Sequence, residues 1–165
     1  MKLKRVSPAL PETPLPETII SGGQTGVDRA ALDAALSLGL NCGGWCPRGR
    51  RAEDGTVPDF YPLKETPGRD YIQRTEWNVR NSGATLILCR GKPSGGTAMT
   101  VQFAKAADKP FYFIDLLGAK PDQEAFRCWM SEHQVKTLNI AGSRESQHSG
   151  IYRQAFTLLL TLLAF

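Results

Sequence analysis

The stretch Thr18-Ile19-Ile20-Ser21-Gly22-Gly23-Gln24-Thr25-Gly26-Val27-Asp28-Arg29-Ala30-Ala31-Leu32 changes its period halfway along. Its β-branched opening suits a short buried strand, and the glycines permit a tight turn. Beyond the turn, Val27, Ala31, Ala34, Ala35 and Leu38 recur at helical spacing until Gly39 stops the helix. Similar alternation predicts strands over 40–45, 84–89, 111–114 and 135–140. Helices are expected over 69–81, 97–107, 122–133 and 151–163. The run Ala84–Cys89 is almost continuously apolar, as a parallel strand covered on both faces requires. The implied fold class is α/β: one doubly wound domain whose mostly parallel sheet has five or more strands, with helices on both faces.

Residues 1–16 hold Pro8, Pro11, Pro14 and Pro16 among polar neighbours and read as a flexible leader before a domain over 17–165. Basic residues open the chain without an apolar core behind them, so no signal peptide is expected. The apolar run Leu158–Phe165 is too short to span a bilayer and reads as the buried face of the last helix. The 165 residues carry 20 Lys plus Arg against 16 Asp plus Glu, a net charge of +4. That mild excess suits a small anionic ligand. Nucleic acid would call for a denser basic stripe, and neither it nor a membrane is expected as a partner. Cys42, Cys46, Cys89 and Cys128 form no Cys-x-x-Cys pair, and His133 and His148 are the only histidines. They read as reduced thiols of a cytoplasmic protein without a zinc site or other bound metal.

Two loops carry the functional signal. Gly22, Gly23, Gln24, Thr25 and Gly26 form the first, while Ser94, Gly95, Gly96 and Thr97 form the second after another predicted strand. Each couples paired glycines to hydroxyls at the start of a helix, where unpaired N–H groups and the dipole favour an anion. Both stand at carboxyl ends of strands, where doubly wound sheets bind ligands. The first loop lacks the spacing of a dinucleotide fingerprint and the Lys-Ser/Thr of a Walker loop. For it alone, tight packing is an equal explanation. Arg48, Gly49, Arg50 and Arg51 add a positive cluster able to clamp an oxyanion or stack on a ring; alternatively its arginines pair with Glu53 and Asp54. Arg74 and Asn78 share a helix face that either meets the cleft or lies at the surface with Glu76 nearby, and Arg144 follows the last strand. Asp28 is expected to cap the helix or pair with Arg29. Phe126, Trp129 and Met130 read as core. No nucleophile and base stand together, so no catalytic residue is assigned.

The strings ISGGQTGVDRAALDAA, GGWCPRGRRAEDG, YPLKET, RTEWNVRNS, ATLIL, GGTAMT, KPFYFIDL and LNIAGSRES, in this order, closely resemble the molybdenum cofactor carrier family. The likeness runs from about Ile19 to Tyr152 and implies a Rossmann-like domain related to the Lonely guy phosphoribohydrolases. It further implies a homo-oligomer, dimer or tetramer, that binds molybdenum cofactor (molybdopterin), protects it and passes it to molybdoenzymes or receives it from cofactor-synthesis proteins. Arg48 stands where that family commonly has lysine. On the Lonely guy pattern Gly-Gly-x-Gly-Thr-x-x-Glu, the glutamate position holds Thr100. The resemblance therefore favours a carrier over an enzyme. A hydrolase of nucleotides or nucleoside monophosphates, or a nucleotide-sensing module, is the alternative.

Overall fold

Every residue of Ala84–Cys89 is buried, which makes this strand the spine of the sheet. The computed structural model describes residues 15–164. In chain order the elements are β1 (Thr18–Ile20), α1 (Val27–Ser37), β2 (Asn41–Gly43), β3 (Trp45–Cys46), β4 (Arg51–Ala52), β5 (Gly55–Thr56) and β6 (Lys64–Glu65). There follow α2 (Tyr71–Arg80), β7 (Ala84–Cys89), α3 (Gly95–Ala106), β8 (Phe111–Asp115), α4 (Gln123–Glu132), β9 (Thr137–Gly142) and α5 (Ile151–Leu162). The expected leader falls outside the described residues except for Leu15, which packs against the core, and Pro16, which is buried.

Five strands form one parallel sheet in the spatial order β2-β1-β9-β7-β8, bearing out the Rossmann-like expectation. Read from β9 as though the chain began there, the order becomes 3-2-1-4-5. The last strand therefore occupies the central place that the first strand has in a doubly wound sheet. Strand order reverses at β9, so the loops after β1, β9 and β7 meet at one sheet edge.

Alternation of side chains decides the two faces. Leu86, Leu88, Leu138 and Ile140 join Ile19 in one cluster with the buried faces of α1, α4 and α5. Thr85 and Ile87 point the other way, toward the side where α2 packs against α3. Phe126 and Met130 are buried and Trp129 packs beside them, as core residues should. Among the described residues no helix is long and apolar enough to cross a membrane.

Two expected strands shift. The single strand over 40–45 divides at Gly44, whose φ of 127° turns the chain out of the main sheet. β3 then pairs with β6 in a separate small ladder. The strand expected over 135–140 runs instead from Thr137 to Gly142, because Val135 closes the preceding helix by donating its N–H to the Met130 carbonyl.

Gly26 shows why the first loop needs glycine. Its φ is 79°, and a Cβ there would lie 2.4 Å from the Ser143 carbonyl oxygen. A Cβ at Gly96 would meet nothing within 4 Å. Gly26→Ala should therefore cost at least about 1–3 kcal/mol, whereas Gly96→Ala should leave the urea unfolding midpoint unchanged or slightly raised. Equal midpoints for the two variants would contradict this packing.

Candidate functional site

Three helices, α1, α3 and α5, follow the carboxyl ends of β1, β7 and β9, each with N–H groups that its own turns cannot satisfy. At α1, the Val27 N–H donates to the Ser143 carbonyl over 3.2 Å. The Gln24 N–H donates to Asp28 Oδ2 at 3.2 Å, and the Thr25 N–H to Gln24 Oε1 at 3.1 Å. At α5, the Glu145 carboxylate accepts from the N–H groups of Gly150 (2.5 Å) and Tyr152 (2.9 Å). At α3, Ser94 makes no side-chain cap, and the Gly95 and Gly96 N–H groups have no hydrogen-bond partner among the described residues. The Asp28 and Arg153 N–H groups also lack one among the described residues, but only the α3 N-terminus leaves its first two N–H groups open together.

It opens onto a hollow of about 190 Å³ between the tips of β1, β9 and β7, walled by α2. The two glycine loops thus converge. Gly22, Gln24, Gly96 and Thr97 line the hollow, as do Arg74, Asn78 and Arg144 from the other candidates. Gln24 is 4% exposed, and its Nε2 is buried without a partner. Its Oε1 accepts the Thr25 N–H and, at 2.8 Å, the Glu53 N–H. Asp28 also lines the hollow; instead of pairing with Arg29, it lies 3.6 Å from Arg74 Nη1. Burial pushes its carboxyl above the ordinary value against the opposing Arg74 charge. Arg74 Nη1 further donates to the Gly22 carbonyl at 2.7 Å. At the rim, the guanidinium carbons of Arg51, Arg74 and Arg144 lie 4.7, 5.2 and 4.9 Å from the centroid of the Tyr71 ring.

The remaining candidates stand elsewhere. Gly23 is packed against Leu63 and Val57, and Gly26 against the Ser143–Glu145 backbone. Thr25 Oγ1 donates to Glu53 and accepts the Glu145 N–H. Ser94 and Gly95 flank the open N-terminus without lining the hollow. Arg48, Gly49 and Arg50 lie off it. Arg48 is exposed, and the Gly49 N–H donates to Glu65. Arg50 uses its guanidinium on the carbonyls of Val57, Pro58, Tyr61 and Leu63, bracing the long loop from inside. Arg51 reaches the rim only through Tyr71 and donates to the Arg69 carbonyl. Asn78 lines the hollow but spends its amide on both backbone groups of Trp45. Sequence reasoning missed Tyr71 and Gln147 as lining residues, and it missed Asp28's place on the hollow. Only the position of Gln147, in the loop after β9, could have suggested it.

The loop from Pro47 to Leu63 straps across this edge. Ser146 donates to Glu53 from Oγ at 2.5 Å and from its N–H at 3.3 Å, and Arg29 grips Asp54 at 2.5 and 2.8 Å. Burial opposes ionisation of Glu53, yet the hydrogen bonds from Ser146 and Thr25 hold it below its ordinary value. The hydrogen bond from Arg29 does the same for Asp54. Among the described residues no group of three or more His, Cys, Asp and Glu is placed to hold a metal ion. Burial raises the thiols of Cys46 and Cys89, the latter to about 11, and neither lines the hollow.

A five-stranded parallel sheet whose strand order switches at β9 defines the class: a Rossmann-like domain. The model of the circularly permutated YpsA SLOG family matches residues 19–163, and the chain belongs to that family. Permutation explains the central place of β9. The chain is 44% identical to a crystal structure from Syntrophus aciditrophicus SB named "Putative molybdenum carrier protein". The match has a TM-score of 0.86 and covers 92% of this chain and 97% of that one. This bears out the resemblance read from the motifs. No curated protein matches the chain.

The strap generates a pH prediction. Groups with depressed folded values stabilise the fold above their unfolded values, here 4.5 for Glu53 and 3.8 for Asp54. That contribution is lost as pH falls through the lower folded values. Amide exchange over 47–63, corrected for its intrinsic pH dependence, should therefore lose protection below about pH 4 while β7 stays protected. Protection of the strap independent of pH would contradict the clamp.

Proposed function

We propose that this protein is a non-catalytic carrier that binds molybdenum cofactor through its phosphate and pterin and passes it to a molybdoenzyme. The observation that carries the reading is the unsatisfied α3 N-terminus opening onto a hollow that also holds an orphan buried donor. The name of the 44% identical structure points the same way. In this reading the Gly95 and Gly96 N–H groups take the phosphate, Arg144 adds positive charge to the hollow, and the Tyr71 ring borders the pterin. A hollow of about 190 Å³ falls below the roughly 300–1,000 Å³ of pockets that enclose a drug-sized ligand. The dithiolene and its molybdenum then stay at the mouth, within reach of a recipient. A second copy of the chain covering that mouth would shield the cargo, consistent with a homo-oligomer.

One observation favours an enzyme instead. The Asp28 carboxyl lines the hollow, and a carboxylate is what hydrolysis of a nucleoside monophosphate would need. Thr100 does not supply one: its hydroxyl lines the hollow and donates to the Gly96 carbonyl at 2.9 Å.

Protein purified from cells that make the cofactor should release a fluorescent phosphorylated pterin on oxidation and no base from nucleoside monophosphates. Base release without bound pterin would overturn the carrier reading, and a co-purified nucleotide would favour a sensor. Arg144 makes no side-chain hydrogen bond among the described residues, so Arg144→Ala should cost little stability. Pterin retention should fall roughly tenfold, the worth of a charged hydrogen bond. Unchanged retention would exclude Arg144 from the phosphate.

A further inference from the structure

The inference that follows rests on the pterin reading of the hollow and concerns which edge of the ring enters it. Gln24 cannot be turned over. Its Oε1 accepts two backbone N–H groups, from Thr25 at 3.1 Å and Glu53 at 2.8 Å. The opposite orientation would set the amide donors against those N–H groups. The strap therefore fixes Nε2 as the free donor of a side chain that lines the hollow, buried and unmatched. A buried donor in that state calls for an acceptor.

Asp28, four residues on, supplies the opposite character. Its Oδ2 accepts the Gln24 N–H at 3.2 Å and lies 3.6 Å from Arg74 Nη1. An ionised carboxylate offers about four acceptor positions, so capacity remains on Oδ1. Ser21 Oγ does not use it, since that hydroxyl donates to the Ile140 carbonyl at 2.7 Å. Arg74 offsets the charge of this carboxylate at 3.6 Å, and the α3 N-terminus presents the bare N–H groups that suit a phosphate. The hollow thus offers a donor and an acceptor on Gln24 and Asp28, and donors alone at the start of α3.

We infer that the Gln24–Asp28 pair reads the 2-amino-4-oxo edge of a pterin-type ring, with the phosphate directed to Gly95 and Gly96. The exocyclic amino group and adjoining ring N–H donate to Asp28, and the carbonyl oxygen accepts from Gln24 Nε2. A ring bearing oxygen in place of the amino group sets lone pairs against the carboxylate and is rejected. Glu53 acts here as a positioning residue, because its N–H orients the Gln24 amide.

Pterin and lumazine differ by this one substituent, carry no phosphate and are both fluorescent. Titrated against the full chain, pterin should bind about tenfold more tightly or better, the discrimination expected of a polar site built around a donor it would otherwise lose. Inorganic phosphate is titrated in parallel by calorimetry. Phosphate binding with equal affinity for the two rings overturns this inference and leaves the anion hollow standing. Absence of binding by phosphate and by both rings overturns the inference and the proposed function together. Asp28→Asn should abolish the preference for pterin; if that variant does not fold, the comparison of the two rings on the unaltered protein decides the matter alone.

Discussion

Parallel strands that each turn into a helix bring several helix N-termini to one edge of a sheet, and their unpaired N–H groups must find acceptors. Most of the architecture at that edge answers this demand. The α1 terminus is closed by the Ser143 carbonyl and by the side chains of Gln24 and Asp28. The Glu145 carboxylate closes α5. At α3 the Ser94 carbonyl takes the Thr97 and Ala98 N–H groups, but those of Gly95 and Gly96 find no acceptor among the described residues. Space remains where a Cβ on Gly96 would stand. The site is the place where the protein leaves the demand unmet.

The long strap serves that site indirectly. Arg50 draws four carbonyls of its own loop around one guanidinium, which gives the loop a fixed shape. Glu53 then fastens it to the loop after β9, and Asp54 to α1 through Arg29. Fastening carries the Glu53 N–H onto Gln24 Oε1, which fixes the amide orientation and leaves its nitrogen as the free donor. Rigid support of this sort is what a binding group needs to hold its geometry before a ligand arrives.

Local pattern made the fold readable. Ala84–Cys89 is buried on both faces and shows it as an unbroken apolar run, and the helices carry their spacing openly. The division at Gly44 was hidden, because its backbone turn depends on close approach to Ser21 and Asn78 from distant elements. The site was half legible. The two glycine loops look alike in sequence, yet the carbonyl that takes the first N–H of α1 comes from Ser143, more than a hundred residues away. Arg50 looked like a ligand clamp because arginine declares its charge but not the carbonyls it will find. Asp28 was expected to cap its helix or pair with Arg29; it accepts the Gln24 N–H and stands beside Arg74, while Arg29 is held by Asp54. Where acceptors come from elsewhere in the chain, residue type alone does not separate a binding loop from a packed one.

The decisive measurement is residue-resolved. In a ¹H–¹⁵N spectrum of the protein titrated with inorganic phosphate, the amides of Gly95 and Gly96 should show the largest shifts. Those of Thr25, Val27 and Tyr152, already bonded within the chain, should scarcely move. Dominant shifts at the α1 or α5 terminus, with Gly95 and Gly96 silent, would contradict the account.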